Sequence, residues 1–210
     1  MKTSEIWFRL VAGGDRVVSS GELKPLARGI GKTYDPAVNY LLRRGYIVRV
    51  VRGFFYVKSP EEVKLKVLQQ GTQNLIAEAL EKKGVSNWFF ALESALKLNN
   101  MTHEYFTVGY VVTDSYTTPW PIRVVDGRYR FLKWKGELHG FGVIQNGKLK
   151  YSDPERTVLD LCYRNLYSKK NPETIRGAYV EHKSKLSSKK VREYLKHYPK
   201  KLSSILEGVV

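Results

Sequence analysis

The sequence has little cysteine and no long apolar segment, and both shortages exclude classes of protein. With a single cysteine, Cys162, the chain can form no internal disulfide and no cysteine-rich metal site. No window approaches the roughly 18 consecutive apolar residues that a membrane-spanning helix needs. The first residues, MKTSEIWFRLV, contain neither an extended apolar run nor a small-residue cleavage site. We therefore expect a cytoplasmic protein without a signal peptide and without a membrane partner.

The sequence also lacks the residue spacings that a metal site or a catalytic site requires. Its four histidines are scattered without metal-ligand spacing, and no G-x-S-x-G motif is present. Asp114 and Asp126 lie twelve residues apart and form no close acidic pair. Cys162 belongs to an apolar helical pattern, which is typical of a packed core thiol rather than a nucleophile. We therefore expect a protein that is not an enzyme and that has no cofactor and no metal.

Acidic residues are few as well, with 20 Asp and Glu against 36 Lys and Arg, a net charge of +16. Residues 1–60 carry 11 basic and 4 acidic side chains, and seven of the basic ones are arginine. Residues 151–210 carry a further net charge of +6, mostly from lysine. A basic excess of this size favours nucleic acid as a partner. The alternative, a solvated lysine-rich surface, fits the tail better than the arginine-rich start.

The segment LARGIGKTYDP, residues 26–36, ends in Gly-Lys-Thr like a phosphate-binding loop. The full pattern, G-x-x-x-x-G-K-[ST], requires a buried strand before it and a glycine where Leu26 stands. Instead, Ser20 is a candidate helix cap, Glu22 follows in the first turn, and the apolar residues recur at helical spacing. Pro36 then fits the first turn of another helix. We interpret the segment as a basic turn between two helices.

Three helices and a hairpin are predicted in the first 58 residues. Asp35 is the expected cap of the third helix, Pro36 its first position and Gly45 its end. The following segment, YIVRVVRGFFYVK, is β-branched and aromatic, with Arg52-Gly53 at its middle, which predicts a two-stranded hairpin. This order is that of a winged helix-turn-helix domain, assigned to residues 1–58. The helices are predicted over residues 2–12, 19–29 and 35–45, and the hairpin over residues 46–58.

The predicted third helix would be the one that enters the major groove of DNA. Because Val38, Leu41 and Leu42 form its core side, polar and basic residues occupy the opposite face, where Asn and Arg can read adenine and guanine. The basic hairpin turn suits the DNA backbone or the minor groove. The predicted DNA-contacting residues are Pro36, Asn39, Tyr40, Arg43 and Arg44 on the helix, Lys32, Thr33 and Tyr34 before it, and Arg49 and Arg52 on the hairpin.

The same residues also have explanations that do not involve DNA binding. Arg43 and Arg44 also suit the C-terminus of a helix, where the dipole favours cations. Winged-helix domains also serve as protein-binding modules, so a protein-interaction adaptor without DNA binding is an alternative. A nucleic-acid-modifying enzyme of the nucleotidyltransferase type is another, although the missing acidic pair counts against it. No dimerisation seam is evident, so the oligomeric state is left open.

The remainder of the chain predicts linking helices over residues 59–84, broken near Gly71, and a mixed α/β domain over residues 85–210. The overall fold class is therefore α+β. Ser152 or Asp153 is expected to cap a long helix that Pro154 opens. The other elements expected in the second domain are a helix over residues 86–100, a buried strand over residues 105–114, hairpins turning at Asp126-Gly127 and Asn146-Gly147, and two or three helices from Pro172 to Leu206.

Three stretches carry a family resemblance: residues 21–57, the segment FFALESALKLNNM at residues 89–101, and YSDPERTVLDLCYR at residues 151–164. Together they resemble the AbiEi-type antitoxins of abortive-infection toxin–antitoxin systems, over roughly residues 5–165. The most distinctive stretch matches a D-P-E-R-T-x-x-D-like pattern through Asp153, Arg156 and Asp160. The lysine-rich tail is the least diagnostic part.

The resemblance implies a two-part function. The winged helix would bind inverted repeats in double-stranded DNA upstream of its own operon and repress it. The second domain would act as an antitoxin that counteracts a cognate toxin with a nucleotidyltransferase-like fold, normally encoded next door. The Asp153–Asp160 motif also has a plain explanation, a capped helix start on which Arg156 and Asp160 pair one turn apart.

The segment RYRFLKWKG, residues 128–136, interleaves aromatic and basic side chains. Such a pattern suits single-stranded nucleic acid, because bases stack on the rings and cations neutralise phosphates. A strand with one solvated and one buried face produces the same alternation. The sequence alone favours the second interpretation.

Overall fold

The computed structural model describes residues 2–210, which divide into two compact units. The first unit comprises the chain up to Ser86 together with Arg123–Gly127, and the second comprises Asn87–Ile122 and Arg128–Val210. Each unit contains helices and strands, so the fold belongs to the α+β class, as the sequence predicts. Within residues 2–210, no helix is both long enough and apolar enough to cross a membrane.

Over residues 2–86, the first unit contains five helices and three strands. Its strands form an antiparallel sheet in the order β1-β3-β2, in which Val18 lies opposite Phe55 and Val48 opposite Tyr56. The hairpin of β2 and β3 is the one expected around Arg52-Gly53. The elements are α1 (Ser4–Gly13), β1 (Val17–Ser19), α2 (Ser20–Gly29), α3 (Tyr34–Arg43), β2 (Ile47–Val51), β3 (Phe54–Val57), α4 (Pro60–Leu65) and α5 (Thr72–Lys82).

Two helix starts differ from the prediction. Ser19 caps α2, not Ser20, because Ser19 has extended backbone and shares a capping box with Glu22. The Ser19 Oγ accepts from the Glu22 amide at 3.2 Å, and the Glu22 carboxylate accepts from the Ser19 amide at 2.7 Å. Helix α3 begins at Tyr34 with Thr33 as its cap, so Asp35 lies in the first turn instead of capping it. Pro36 is tolerated there because first-turn amides have no partner within the helix.

The core of the first unit is formed by one apolar face of each of the first three helices and by the sheet. Trp7 stacks on Tyr46 with ring centroids 4.4 Å apart and donates its indole N–H to the Lys58 carbonyl at 2.8 Å. These contacts join α1 to both ends of the hairpin. The fully buried members include Ile6, Val18, Leu23, Ala27, Ala37, Leu41, Ile47 and Phe55.

Helices α4 and α5 belong to the first unit, whereas the sequence assigned residues 59–84 to a link. Ser59 and Glu62 form the expected capping box of α4, and Lys66, with a positive φ of 57°, ends it. Helix α5 packs on all three strands of the sheet. Its buried side chains are Leu75, Ile76, Ala77, Ala79 and Leu80.

The chain after Ser86 forms a second, mixed sheet with helices. The strand order is β6-β7-β5-β4-β9-β8, in which β4–β5 and β8–β9 are antiparallel while β4–β9 and β5–β7 are parallel. The elements are β4 (Trp88–Ala91), α6 (Leu92–Leu98), β5 (Gly109–Thr113), β6 (Ile122–Val124), β7 (Gly127–Lys133), β8 (Val143–Asn146), β9 (Leu149–Ser152), α7 (Pro154–Tyr167), α8 (Pro172–Val180), α9 (Ser188–Leu195) and α10 (Lys200–Leu206).

The segment 86–100 is not one helix, as predicted, but a strand followed by a helix. Every residue of β4 is buried, and the strand pairs with β5 on one side and β9 on the other. A central strand that is apolar throughout cannot be told from a buried helix by its periodicity. The junction falls at Leu92, which has a positive φ of 55° that a non-glycine residue rarely adopts.

Helix α7 is the central helix of the second unit. As expected, Asp153 caps it by accepting from the Arg156 amide at 2.9 Å, and Pro154 opens it. Cys162 is a packed core thiol, and burial raises its pKa to about 12. The three tail helices α8, α9 and α10 pack against α7, so they complete the core of this unit.

Candidate nucleic-acid interface

The turn between α2 and α3 is a helix ending that is closed by backbone hydrogen bonds. The Lys32 amide donates to the Ala27 carbonyl at 3.0 Å, and the Gly31 amide donates to the Arg28 carbonyl at 2.9 Å. Gly31 has a φ of +70°, the left-handed conformation that such a Schellman ending requires and that glycine adopts without strain. Because a helix precedes this turn, the Gly-Lys-Thr segment does not have the strand–loop–helix arrangement of a phosphate-binding loop.

Ser20 joins the start of α3 to the hairpin turn. Its Oγ lies 2.7 Å from the Tyr34 hydroxyl at the first position of α3. Its amide donates to the Gly53 carbonyl in the turn between β2 and β3 at 2.7 Å, and its Oγ also lies within 3.2 Å of that carbonyl. The N-terminus of α3 and the Arg52-Gly53 turn therefore lie side by side, each contacting the same serine.

The residues predicted to contact DNA are mostly exposed in the first unit. Two tyrosines are exceptions, since Tyr34 and Tyr40 are half-buried. Tyr34 is engaged by Ser20, and Tyr40 packs near Tyr46 with centroids 6.4 Å apart. These two side chains therefore support α3 rather than presenting a free hydroxyl or ring. The exposed members are Lys32, Thr33, Pro36, Asn39, Arg43, Arg44, Arg49 and Arg52.

The cations of this set are free of carboxylate partners. Within residues 2–210, none of the five forms a salt bridge: Lys32, Arg43, Arg44, Arg49 and Arg52. Two of them rest on rings instead. The Arg44 guanidinium lies 5.7 Å from the Tyr40 ring centroid, and that of Arg49 lies 5.6 Å from the Phe55 ring centroid. Such stacking orients a guanidinium without neutralising its charge.

Two acidic residues that flank β1 in the sequence, Asp15 and Glu22, are neutralised by Lys82 of α5. Lys82 contacts both Glu22, at 2.8 Å, and Asp15, at 3.6 Å. Although burial alone raises the pKa of Glu22, hydrogen bonds from Lys82 and Ser19 bring it below its ordinary value. Between residues 23 and 60 the chain carries eight basic side chains and one acidic one, Asp35. The surface of α3 and the hairpin turn is therefore strongly cationic.

The motif of the second unit has a different character, because Asp153, Arg156 and Asp160 are all buried. The Arg156 guanidinium carbon lies 4.0 Å from the Phe89 ring centroid and 4.4 Å from that of Phe141. Its terminal nitrogens donate to the carbonyls of Leu138 and Phe141. Its Nε lies 3.5 Å from Asp160 Oδ2. The ion pair suggested by the i, i+4 spacing exists, and it is enclosed by the core.

The two acids of the motif bind side chains of α9 and of the segment that follows it. Tyr198 donates to Asp160 at 2.5 Å, while Tyr194 donates to Asp153 at 2.8 Å and Lys190 lies 2.6 Å from the same carboxylate. Burial raises the pKa of Asp160 to about 6, against the opposing effects of Arg156 and Tyr198. All three motif side chains are thus occupied within the unit, where they connect α7, the loop before β8 and α9.

Comparison with known proteins gives a likeness of fold. No protein-family model matches the chain, and no curated protein matches it. A solved structure does: the crystal structure of the RV2827C protein from Mycobacterium tuberculosis, with a TM-score of 0.58 and 14% sequence identity. The match covers 98% of this chain and 76% of that chain. At this identity the similarity concerns the fold alone.

The role of Ser20 has no direct signal in the sequence. A serine before a helix is ordinarily its cap, and the adjacent Ser19 takes that role here. The contacts of Ser20 reach residues 14 and 33 positions away. Only the pairing of β1 with β3, which places Ser19 opposite Phe54, brings these groups together. A three-residue strand such as β1 is too short for periodicity to reveal.

Proposed function

We propose that this protein is a DNA-binding regulator whose first unit is a winged helix-turn-helix domain. In this proposal α2 and α3 are the helix-turn-helix pair, and the hairpin of β2 and β3 is the wing. Helix α3 enters the major groove, with Asn39 and Arg43 toward base edges. Lys32, Arg49 and Arg52 contact phosphates or the minor groove.

One observation carries this proposal: Ser20 holds the start of α3 beside the Arg52-Gly53 turn, and the cations of both elements form no salt bridge with any described residue. A helix and a wing must be presented together for a duplex to contact both. Cations without internal partners keep their full charge for phosphates, since no salt bridge has to be broken on binding. A protein-interaction adaptor does not require this concentration of free guanidinium groups.

We also propose, on the resemblance to AbiEi-type antitoxins, that the regulated gene is its own operon. The duplex would then be an inverted repeat upstream of the operon. The second unit would counteract a nucleotidyltransferase-like toxin encoded next door. The buried positions of Asp153, Arg156 and Asp160 support a structural role for the shared motif, which leaves antagonism to other, exposed residues of the unit.

The DNA-binding proposal is tested by fluorescence anisotropy over a salt series. The probe is the duplex upstream of the protein's own gene, beside an unrelated duplex of equal length. Arg43→Ala and Arg52→Ala are compared with Arg9→Ala, an exposed arginine on α1 outside the proposed surface. We expect tighter binding to the upstream duplex, weakened by the first two variants alone. Equal binding to both duplexes would reduce the protein to an electrostatic binder, and no binding at low salt would refute the proposal.

The antitoxin proposal has a separate test in cells. The neighbouring gene is expressed alone and together with this protein, and growth is measured. We expect growth arrest with the neighbour alone and rescue on co-expression. Arg43→Ala, which lies in the DNA-binding unit, should rescue as well as the wild type. Failure of rescue with correctly expressed protein would reject the antitoxin role while leaving DNA binding untouched.

A further inference from the structure

The second unit contains a cleft that the proposed function does not use. It has a volume of about 480 Å³ and lies between β5, β7 and the C-terminal half of α7. Pockets that bind small molecules typically have volumes of about 300–1,000 Å³. Its walls combine basic, aromatic and hydroxyl side chains, among them Tyr110, Thr117, Arg130, Trp134, Tyr163 and Tyr167.

Three of the four basic side chains that line the cleft lack a carboxylate partner within residues 2–210. Arg130, Lys133 and Lys135 line it, and none of them forms a salt bridge within residues 2–210. The Arg130 Nε is buried and has no hydrogen-bond acceptor in the part of the chain that the structure describes. A buried donor without an acceptor is costly, and native structures rarely keep one unless another group supplies the bond. Arg164, by contrast, is already paired with Glu93 at 2.7 Å.

The aromatic side chains of the cleft offer ring faces at its mouth. Trp134 and Tyr163 meet edge to face with centroids 5.5 Å apart, and Tyr167 lies 6.4 Å from Tyr163. Tyr167 is 81% exposed although it is a large aromatic residue. A ring left open to water in the same cleft as an unpaired guanidinium is suited to stack on a planar ligand that carries negative charge.

The geometry of β7 explains why aromatic and basic side chains alternate in the segment RYRFLKWKG, residues 128–136. Phe131 is fully buried and packs edge to face on Tyr116, with centroids 4.9 Å apart. Its neighbours on the opposite face of β7, Arg130 and Leu132, line the cleft, and Arg130 lies opposite Tyr110 of β5. One face of the strand is core, as the plain interpretation requires. The other face lines a cleft instead of being simply solvated.

We infer that this cleft binds one nucleotide unit, with its base stacked on Tyr167 and its phosphate held by Arg130. The unit is either a free mononucleotide or the end of a single strand, because both present the same base and phosphate. Planar rings, unpaired cations and a volume that suits a small molecule are the three features that such a ligand needs together. Inorganic phosphate alone would leave the rings unused, and an uncharged nucleoside would leave Arg130 unpaired.

The test uses isothermal titration calorimetry on the full chain. The probes are AMP, GMP, CMP and UMP, with adenosine and inorganic phosphate as partial ligands and a 5′-phosphorylated six-residue oligoadenylate as the strand. Arg130→Gln and Tyr167→Ala are the test variants. Arg128→Gln, on the same strand but outside the cleft, and Tyr105→Ala, an equally exposed tyrosine elsewhere, are their matched controls. Circular dichroism shows whether each variant is folded.

We expect a mononucleotide or the oligonucleotide to bind with one site, and the partial ligands to bind at least about tenfold more weakly. Each test variant should raise Kd by about tenfold or more, because a charge-assisted hydrogen bond or a stacked base is lost. Binding of a mononucleotide identifies the free form, and binding of the oligonucleotide alone identifies the strand end. Absence of binding by every probe, or equal binding by folded test and control variants, would overturn the inference.

Discussion

The Ser20 Oγ and the Tyr34 hydroxyl lie 2.7 Å apart, and this bond ties the first residue of α2 to the first residue of α3. Ser20 also binds the Gly53 carbonyl in the hairpin turn through its amide. The backbone of Ser20 thus contacts the hairpin turn, while its hydroxyl supplies the bond to the start of α3. Its substitution should affect binding more than folding.

Ser20→Ala is expected to weaken binding to the upstream duplex by about threefold to tenfold. The reason is that a lost hydrogen bond contributes about 0.5–1.5 kcal/mol, here to the positioning of α3. Ser19→Ala is the matched control, since it removes the cap of the same helix and should lower stability by about 1 kcal/mol without changing DNA affinity. Anisotropy and urea unfolding separate the two effects. If Ser20→Ala lowered stability without changing DNA affinity, while Ser19→Ala weakened binding, Ser20 would not position α3.

The first unit illustrates how far local patterns reach. The helices, the hairpin and its turn follow from signals within ten or so residues, and the exposed arginines of α3 follow from helical periodicity. The half-burial of Tyr34 and Tyr40 did not follow, because it depends on Ser20 and Tyr46, which only tertiary packing brings near. A residue that the sequence predicts to contact DNA can therefore support the helix instead. The sequence alone does not distinguish these two roles.

The unpaired Arg52 yields a prediction about salt dependence. Each phosphate contact that is lost reduces the slope of log K against log salt by about 0.9. We expect Arg52→Gln to lower the slope by about this amount and to weaken binding to the upstream and unrelated duplexes alike. Arg9→Gln should leave the slope unchanged, since Arg9 lies on α1. A salt series by anisotropy measures both; a slope unchanged in Arg52→Gln would remove the hairpin turn from the interface.

Arg156 and Asp160 predict a large loss of stability when one partner is removed. Both side chains are fully buried, and breaking a buried pair typically costs about 3–5 kcal/mol because the remaining charge is left without compensation. We expect Arg156→Met to lower the free energy of unfolding of the second unit by an amount in this range, measured by urea unfolding of the full chain. Arg164→Gln, whose pair with Glu93 is partly exposed, should lose about 1 kcal/mol or less. Equal losses would show that Arg156 is not central to this core.

In the second unit, the sequence predicts helix starts and hairpin turns correctly, but it does not predict a strand whose residues are all buried. Asp153-Pro154 and Asn146-Gly147 marked a helix start and a hairpin turn, because caps and turns depend on local chemistry. The sequence predicts helix where the strand Trp88–Ala91 lies, since all four residues of this strand are buried and show no apolar–polar alternation. The cleft beside Arg130 does not follow from the sequence for a different reason: its walls come from segments far apart in the chain.

Gly109, the first residue of β5, has no room for a larger side chain. A Cβ at this position would lie 2.5 Å from the Tyr129 ring and 3.1 Å from Ser94 Oγ. We expect Gly109→Ala to destabilise the protein by about 1–3 kcal/mol, since the ring must move within a packed sheet. Gly136→Ala is the control, because nothing lies within 4 Å of its added methyl. Thermal unfolding of both variants measures the difference, and equal midpoints would show that the ring moves freely.

Glu62 predicts loss of stability in acid. Although burial alone raises its pKa, the amides of Gln69 and Ser59, the Tyr56 hydroxyl and Arg16 hold the pKa below the ordinary value of 4.5. The unfolded chain therefore binds more protons than the folded one as the pH falls through that value, so the contribution of Glu62 is present at neutral pH and lost in acid. Glu62→Gln should lower stability at neutral pH and flatten this dependence.

The measurement for Glu62 is urea unfolding at several pH values, with hydrogen exchange of first-unit peptides to assign the transition. The matched control is Glu61→Gln, which removes the exposed neighbouring carboxylate and leaves Tyr56 and Arg16 with their acceptor. The difference between wild type and Glu62→Gln should be largest near neutral pH and should narrow below about pH 4.5, because protonation then removes from the wild type the charge that the variant lacks. A constant difference across this range would mean that Glu62 acts through shape and not through charge.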